Sequence, residues 1–213
     1  MTLAALTLVA YLLGSISFAV IVSRAFGLPD PRTYGSGNPG ATNVLRSGRK
    51  AAAALTLLGD SVKGWLAVYI SGRFVAPEAA DLTLALAAVA VVVGHMYPVL
   101  FRFNGGKGVS TALGALLALN AFLAAGAVAT WIIIALFFRM SSLAALISAL
   151  FAPFFCFLIY GWNAFTFAVI AISSLLTWRH KANIQNLLAG TEARFGKRET
   201  GIGFQDSEKS ADG

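Results

Sequence analysis

The chain has 213 residues and a formal net charge of +7 at pH 7, with 58% hydrophobic and only 12% charged residues. Soluble domains are typically about one quarter charged, so this composition excludes an ordinary soluble domain and indicates an integral membrane protein. The single cysteine, Cys156, excludes a disulfide within the chain, and no Cys/His cluster has zinc-ligand spacing. We therefore expect no metal and no cofactor, and we expect Cys156 to serve in packing.

Six apolar runs come near the roughly 20 residues that a helix needs to cross a bilayer core. They are Leu3–Ser23, Ala51–Ile70, Leu82–Phe101, Thr111–Phe138, Leu143–Tyr160 and Ala164–Trp178. The first run has no basic leading segment and no small-residue cleavage site, so we interpret it as a retained transmembrane helix. The fourth run is too long for one ordinary helix and contains Asn120 and Gly126, so it can form two short helices.

The placement of Lys and Arg favours two crossings in the fourth run, because these residues prefer the cytoplasmic side of short loops. With the N-terminus outside and seven spans, Arg73 is the only basic loop residue outside, whereas six spans would put the whole basic C-terminal tail outside. We predict an all-α bundle of about seven transmembrane helices with a cytoplasmic C-terminus. One domain covers residues 1–203, and the polar residues 204–213 are predicted to be disordered. Whether residues 111–138 cross fully twice stays open.

This topology brings the polar segments to one membrane face. The first, Asp30–Arg46, is rich in glycine, which allows positive φ and lets backbone N–H groups point at an anion. A helix is predicted to begin near Gly40, and Arg46 can bind a phosphate through two hydrogen bonds. The segment therefore predicts a phosphate-binding loop and not a flexible linker, although it is not a Walker A sequence. The candidate binding residues are Ser36, Gly37, Asn38, Gly40, Thr42, Asn43 and Arg46.

The second segment, Phe103–Thr111, places Lys107 among Gly105, Gly106 and Gly108, directly before an apparent helix. This arrangement suits close backbone approach and a point charge on a phosphate. The alternative is a cytoplasmic turn whose lysine sets the membrane topology. The presence of the first segment on the same face favours phosphate binding.

Asp60 and Lys63 lie inside the second apolar run, three residues apart, so they share a helix face and can pair. Charges at membrane depth are costly and are usually paired or functional. Two interpretations stay open, namely a purely structural ion pair or the lining of a polar pocket beneath the glycine loops. His95, in or near the third run, is equally compatible with packing and with a site.

His180 and Asn183 follow the last apolar run and would face the same way on a continuing helix. His180 could orient a hydroxyl group or carry a proton. The alternative is a basic stop-transfer segment at the membrane surface.

Together and in this order, the motifs resemble the bacterial membrane-bound, acyl-phosphate-dependent glycerol-3-phosphate acyltransferase family. The resemblance covers nearly the whole chain and rests on Gly14-Ser15, Gly35–Asn43 with Arg46, Asp60 with Lys63-Gly64, Gly94-His95, Gly105–Gly108 and Arg179–Ile184. It implies seven transmembrane helices in the bacterial inner membrane, with the active site on the cytoplasmic side. It also implies transfer of an acyl group from acyl phosphate to the sn-1 hydroxyl of glycerol 3-phosphate, giving lysophosphatidic acid and phosphate.

The resemblance further implies roles for individual residues. Glycerol 3-phosphate would be surrounded by Ser36, Arg46, Lys107, His180 and Asn183, and the Gly37–Asn43 stretch would hold the phosphate of the acyl donor. Further candidate binding residues are Asp60, Lys63, Gly105 and Gly106. A soluble enzyme that forms acyl phosphate would be a functional partner, membrane lipids would surround the helices, and nucleic acid is not expected.

Direct transfer without an acyl-enzyme is expected, because acyl phosphate is already an activated anhydride. The hydroxyl proton would pass either to a phosphate oxygen of the donor or to His180. The main alternative function is a transporter of small phosphorylated anions, and a third is a structural subunit of a membrane complex. No inverted repeat is visible in the sequence, and the polar segments gather at one face instead of the membrane midplane, which disfavours a transporter.

Overall fold

The computed structural model describes residues 2–195, so the predicted polar tail and the domain boundary at residue 203 lie outside them. Within this range the chain forms α-helices, two one-turn 3₁₀ helices at Pro77–Ala79 and Val99–Phe101, and no β-strand. The α-helices are α1 Leu3–Gly14, α2 Phe18–Ala25, α3 Ala41–Leu45, α4 Lys50–Phe74, α5 Ala80–Met96, α6 Val109–Leu119, α7 Ala121–Phe138, α8 Ser141–Tyr160, α9 Ala164–Arg179 and α10 Lys181–Leu188. This architecture confirms the all-α prediction.

Five stretches within residues 2–195 are long and apolar enough to cross a membrane. They are Leu3–Ala25, Lys50–Phe74, Pro77–Phe101, Ala121–Phe138 and Ser141–Tyr160. Two shorter apolar helices, α6 and α9, pack among them. The fold is therefore a helical membrane bundle, while the number of full crossings and the side of the N-terminus stay predictions.

Asn120 divides the fourth apolar run into α6 and α7. Its backbone is extended, and its Oδ1 accepts hydrogen bonds from the N–H groups of Phe122 and Leu123 at 2.8 and 3.2 Å. Its Nδ2 donates to the Tyr160 hydroxyl at 3.1 Å, and that hydroxyl donates to the Leu119 carbonyl at 3.1 Å. Because helix ends leave backbone groups without partners, these bonds stabilise the break in an apolar setting. The prediction that this run can form two helices is confirmed.

The first apolar run is also divided, which the sequence interpretation missed. The run was predicted as one helix from Leu3 to Ser23, but α1 ends at Gly14 and α2 begins at Phe18. Lys63 Nζ donates to the Ile16 carbonyl at 2.5 Å, so the break supplies an acceptor to a buried charge. Gly14, Ser15 and Ser17 flank the break, and the partner that stabilises it lies in another helix.

Glycines set the close crossings that hold the bundle behind the polar segments. A Cβ on Gly14 or on Gly94 would collide with a backbone carbonyl of the facing helix, so α1 and α5 cross in contact. Gly64 and Gly114 do the same for α4 and α6. Small residues allow helix backbones to approach in this way within membranes. The crossings fix α4, α5 and α6, which carry or precede the residues of the site.

Candidate active site

A cavity of about 1390 Å³ lies where the two glycine-containing segments meet α4, the end of α5 and the junction of α9 and α10, and it continues between α6, α7, α8 and α9. Its polar wall contains Ser36, Arg46, Lys107, His180, Asn183 and Glu192. Its apolar wall contains Leu113, Leu116, Val128, Trp131, Ala149, Val169 and Ile172. One continuous space therefore joins a cation-lined end to an interior that suits a hydrocarbon chain.

Asn43 organises the first segment from within. Its side chain is 2% exposed, and its Oδ1 accepts from the Ser36 N–H at 3.0 Å while its Nδ2 donates to the carbonyls of Pro31 and Tyr34 at 2.7 and 3.1 Å. These bonds use both amide hydrogens, so the side chain holds the loop closed instead of offering a donor to a phosphate. Gly35, with φ of +57°, lies so close that a Cβ would collide with the Asn43 side chain.

Most of the predicted residues of the first segment reach the cavity. Those that line it are Ser36, Asn38, Gly40, Thr42, Asn43 and Arg46. Among the described residues of the segment, Gly37 is a predicted binding residue that does not line it; its φ of +64° instead serves the turn of the loop. The helix predicted near Gly40 begins at Ala41, as expected, but it has only five residues. The dipole of so short a helix is weak, so the positive charge of Arg46 should contribute more than the helix to binding an anion.

Gly105 and Gly106 let the second segment lie against α5. The Gly106 N–H donates to the His95 carbonyl at 3.1 Å, and a Cβ on either glycine would collide with His95. Arg179, which opens the Arg179–Ile184 motif but received no role from the sequence, donates to the carbonyls of Gly105 and Gly106 at 2.8 and 3.2 Å. Its guanidinium lies 5.2 Å from the centre of the Tyr97 ring. The two glycines therefore do not line the cavity but present Lys107 to it.

Lys107 is connected through Asn183 to an acidic residue. Lys107 Nζ donates to Asn183 Oδ1 at 2.5 Å, and Asn183 Nδ2 donates to Glu192 Oε1 at 2.7 Å. Ser142 Oγ donates to the same carboxylate oxygen at 2.6 Å, and Glu192 Oε2 is buried with no hydrogen-bond partner among the described residues. Burial lowers the pKa of Lys107, while the Glu192 carboxylate acts in the opposite direction. A phosphate dianion at this end would favour the charged lysine in the same way as the carboxylate does.

His180 stands at the junction of α9 and α10 and is 4% exposed. Its Nδ1 lies 2.7 Å from the Leu176 carbonyl, which can only accept, so Nδ1 carries a proton and Nε2 is the remaining acceptor. Burial lowers the pKa of His180 to about 4, so the ring is neutral at physiological pH. His180 and Asn183 line the same cavity, as their spacing predicted.

Asp60 and Lys63 form the predicted ion pair, with Nζ 2.8 Å from Oδ1. The side chains are 2% and 3% exposed, respectively. Asp60 lines the cavity together with His95, whereas Lys63 lies behind them and is not part of the wall. Asp60 and Lys63 are thus a buried ion pair, and Asp60 also forms part of the wall at the polar end of the cavity.

Glu192 lies in a segment that turns back towards α7 after α10, and the sequence analysis assigned it no role. After α10 the chain turns back, and the Phe195 N–H donates to the Arg139 carbonyl at 2.7 Å while its ring meets Trp131 edge to face at 6.4 Å. One signal was available, because Glu192 is the first acidic residue after Asp81. An acid set alone in so long a stretch of basic and apolar sequence indicates a specific partner.

Comparison with known proteins finds one family over most of the chain. The family model described as glycerol-3-phosphate acyltransferase matches residues 4–190. Relatives named glycerol-3-phosphate acyltransferase include one from Paraburkholderia phymatum, 59% identical over 90% of this chain and 91% of the relative, and one from Ralstonia nicotianae, 59% identical over 89% and 92%.

Two solved structures show the same fold. One is the glycerol 3-phosphate form of an integral membrane glycerol 3-phosphate acyltransferase, 38% identical with a TM-score of 0.84, covering 91% of this chain and 96% of that one. The other, described as its lysophosphatidic acid form, is 37% identical with a TM-score of 0.83 and covers 91% and 95%. This chain therefore belongs to the glycerol-3-phosphate acyltransferase family.

Proposed function

We propose that this protein transfers an acyl group from acyl phosphate to the sn-1 hydroxyl of glycerol 3-phosphate, giving lysophosphatidic acid and inorganic phosphate. The observation that carries the proposal is the single cavity that joins a cationic polar end to an apolar interior. A small phosphorylated polyol and a fatty acyl chain have to meet in one place for this reaction. Membership of the family supports the acyl acceptor, and the pairing of two basic glycine segments supports a second phosphorylated substrate.

The phosphate of glycerol 3-phosphate is assigned to the end that contains Arg46 and Lys107. Both side chains line the cavity, and charge-assisted hydrogen bonds to phosphate are stronger than neutral ones. Asn183 accepts a hydrogen bond from Lys107, so it would orient the ammonium group towards the bound anion. The loop of residues 37–43 is assigned to the phosphate of the acyl donor, with the acyl chain lying along the apolar wall.

In the reaction the sn-1 oxygen attacks the carbonyl carbon of acyl phosphate. A new carbon–oxygen ester bond forms, the bond between the carbonyl carbon and the phosphate oxygen breaks, and phosphate leaves with the electron pair. The hydroxyl proton passes to the leaving phosphate. His180 Nε2 accepts a hydrogen bond from the hydroxyl and orients it. The low pKa of His180 makes it a weak final proton acceptor, which favours the phosphate in that role.

Direct transfer is favoured over an acyl-enzyme. A serine nucleophile needs an adjacent base within hydrogen-bond reach, and in residues 2–195 neither histidine hydrogen-bonds to a serine: His95 contacts Lys63 and His180 contacts the Leu176 carbonyl. The protein therefore contributes positioning of the two substrates and compensation of phosphate charge.

We propose that the site lies at the cytoplasmic face of a bacterial inner membrane. Arg46, Lys107 and Arg179 lie on the same face, and basic residues prefer the cytoplasmic side. A soluble enzyme that forms acyl phosphate would supply the donor. Acyl phosphate is a labile anhydride with an apolar chain, so it would favour a donor-forming enzyme that works close to the membrane.

The test uses purified protein in mild detergent with radiolabelled glycerol 3-phosphate and palmitoyl phosphate. We expect labelled lysophosphatidic acid and one phosphate released per product, with no product when palmitoyl-CoA replaces the donor. Product from both donors would retain the acyltransferase and overturn the donor assignment. Well-folded protein that gives no product, together with uptake of glycerol 3-phosphate into liposomes, would favour the transporter.

A further inference from the structure

Asp60, Lys63 and His95 form a buried cluster inside the bundle, and the mechanism above uses none of them. Lys63 Nζ lies 2.8 Å from Asp60 Oδ1, 3.0 Å from His95 Nδ1 and 2.5 Å from the Ile16 carbonyl at the break between α1 and α2. The three residues are 1%, 3% and 6% exposed, respectively. Two helices, α4 and α5, and the break between α1 and α2 thus contribute to one buried polar cluster.

The chemistry of these contacts fixes the tautomer of His95. An ammonium group has three hydrogens to donate and no lone pair, so a nitrogen that contacts it must accept. His95 Nδ1 is therefore unprotonated, and the proton lies on Nε2. The 3.5 Å approach of the same Nδ1 to Asp60 Oδ1 is then not an ion pair. His95 and His180 are expected to be opposite tautomers, because His180 carries its proton on Nδ1.

His95 connects this cluster to the loops of the site. Its carbonyl accepts from the Gly106 N–H at 3.1 Å, next to Lys107 in the chain. A Cβ on Gly106 would meet His95 Nε2 on one side and would lie 2.9 Å from the Pro39 carbonyl on the other. Gly106 is therefore a point of close approach between the first and second segments, and the His95 ring lies against it.

We propose that Asp60, Lys63 and His95 are positioning residues that set the separation of the two phosphate-binding segments. Lys63 holds the His95 ring, the ring and its carbonyl hold Gly106, and Gly106 places Lys107 relative to the segment that carries Ser36 and Arg46. Stability alone does not account for the cluster, because a buried ion pair is often no more stabilising than apolar residues of similar volume. The inference rests on the proposed function for the identity of the substrates, but not for the geometry.

The principal experiment compares variants that keep the interior free of unpaired charge. Asp60→Asn/Lys63→Met removes both charges, His95→Leu removes the acceptor at similar volume, and His95→Asn keeps an oxygen near the position of Nδ1. For each we would measure kcat, KM for glycerol 3-phosphate, its Kd by calorimetry and the midpoint of thermal unfolding. Ser71→Ala is the matched control, because Ser71 is a buried polar residue of α4 whose hydroxyl donates to the Ala67 carbonyl of its own helix.

We expect the double variant and His95→Leu to raise KM and Kd for glycerol 3-phosphate at least about tenfold. A tenfold rise in Kd corresponds to a loss of only about 1.4 kcal/mol in binding free energy, which a small displacement of Lys107 can cause. The unfolding midpoints should stay close to that of the wild type, and His95→Asn should restore much of the binding. The double variant with wild-type KM and Kd would overturn the proposal. So would equal losses in His95→Asn and His95→Leu.

A second measurement needs no folded variant of the cluster. The chain has only two histidines, so nitrogen-15 labelling of histidine gives a spectrum of two rings, assigned with His180→Asn. We expect His95 protonated on Nε2, with its signals shifted by glycerol 3-phosphate. A proton on Nδ1 of His95, or no shift at saturating ligand, would overturn the proposal. Wild-type protein that binds glycerol 3-phosphate without acylating it would refute the proposed reaction and leave this test intact.

Discussion

Lys107 Nζ and Asn183 Oδ1 lie 2.5 Å apart, although 76 positions separate them in the chain. This hydrogen bond joins the second glycine segment to α10, and Asn183 in turn donates a hydrogen bond to Glu192. Two motifs that the sequence presents separately are thereby parts of one polar end. The charge on Lys107 and the amide that orients it should therefore contribute together to binding a phosphate.

Replacing Lys107 by alanine should lower kcat/KM for glycerol 3-phosphate at least about tenfold, because one phosphate charge loses its compensation. Lys107→Arg should not restore full activity, since the planar guanidinium cannot reproduce the compact contact to Asn183. The measurement is steady-state kinetics with palmitoyl phosphate as donor. Lys50→Ala is the matched control, because Lys50 is an exposed lysine at the start of α4 that does not line the cavity. Equal effects of the two alanine variants would count against the assignment of Lys107.

Glu192 should contribute mainly as an acceptor that holds Asn183 and Ser142. Glu192→Ala removes the acceptor from two donors, and we expect a loss of about 1–3 kcal/mol in the free energy of unfolding together with a lower kcat/KM. Glu192→Gln retains an acceptor oxygen and should be much milder. Glu78→Ala, at an exposed acid in the turn before α5, provides the control. A Glu192→Gln variant as impaired as Glu192→Ala would show that the charge matters and not the acceptor.

The sequence contains enough to locate the two loops, but not the contacts that complete the site. Glycine, Asn and Arg at close spacing are local signals, so the segment around Ser36 and the segment around Lys107 could be predicted. Asn120 could be recognised as a break because it is the single strong polar residue in a long apolar run. The break at Ile16 has only a weak local signal, Gly14 with Ser15 and Ser17, and the group that uses its free carbonyl is Lys63 in another helix. Glu192 depends on a chain reversal held by Phe195 and Arg139, which no local pattern specifies.

The stability of the protein should depend on pH through His180. Its pKa is lowered from 6.5 to about 4 in the folded state, so between these values the unfolded chain binds a proton that the folded protein does not. The free energy of unfolding therefore falls as the pH is lowered from 6.5 towards about 4, and this contribution is fully present above pH 6.5. We would measure chemical unfolding at about pH 7 and pH 5.

The matched comparison for this pH effect is His180→Asn, which lacks the titrating ring. The wild type should lose more stability than the variant between the two pH values, and the difference isolates the histidine from the carboxylates. The activity of the wild type should also show no inflection near pH 6.5 arising from His180. An identical pH dependence of unfolding in the two proteins would contradict the burial argument.

Arg179 should affect substrate binding through the loop that it holds. Its guanidinium donates to the carbonyls of Gly105 and Gly106 and stacks on Tyr97, so it is already engaged within the protein and acts on the phosphate through Lys107. Arg179→Lys keeps the positive charge but lacks the planar guanidinium that donates to both carbonyls and stacks on Tyr97. We expect KM for glycerol 3-phosphate to rise about tenfold with a smaller change in kcat, as for a displaced binding group.

The control for Arg179→Lys is Arg73→Lys, the same change at an exposed arginine in the last turn of α4. For the salt dependence the charge itself has to be removed, so the variant is Arg179→Gln: if Arg179 bound the phosphate directly, this change would alter the salt dependence of binding as strongly as the loss of Lys107. If it holds the loop, the salt dependence should stay near that of the wild type while KM rises, because the number of charges that meet the phosphate is unchanged. Calorimetric binding of glycerol 3-phosphate at two salt concentrations separates these outcomes, and a steep change in salt dependence would show that Arg179 itself contacts the substrate.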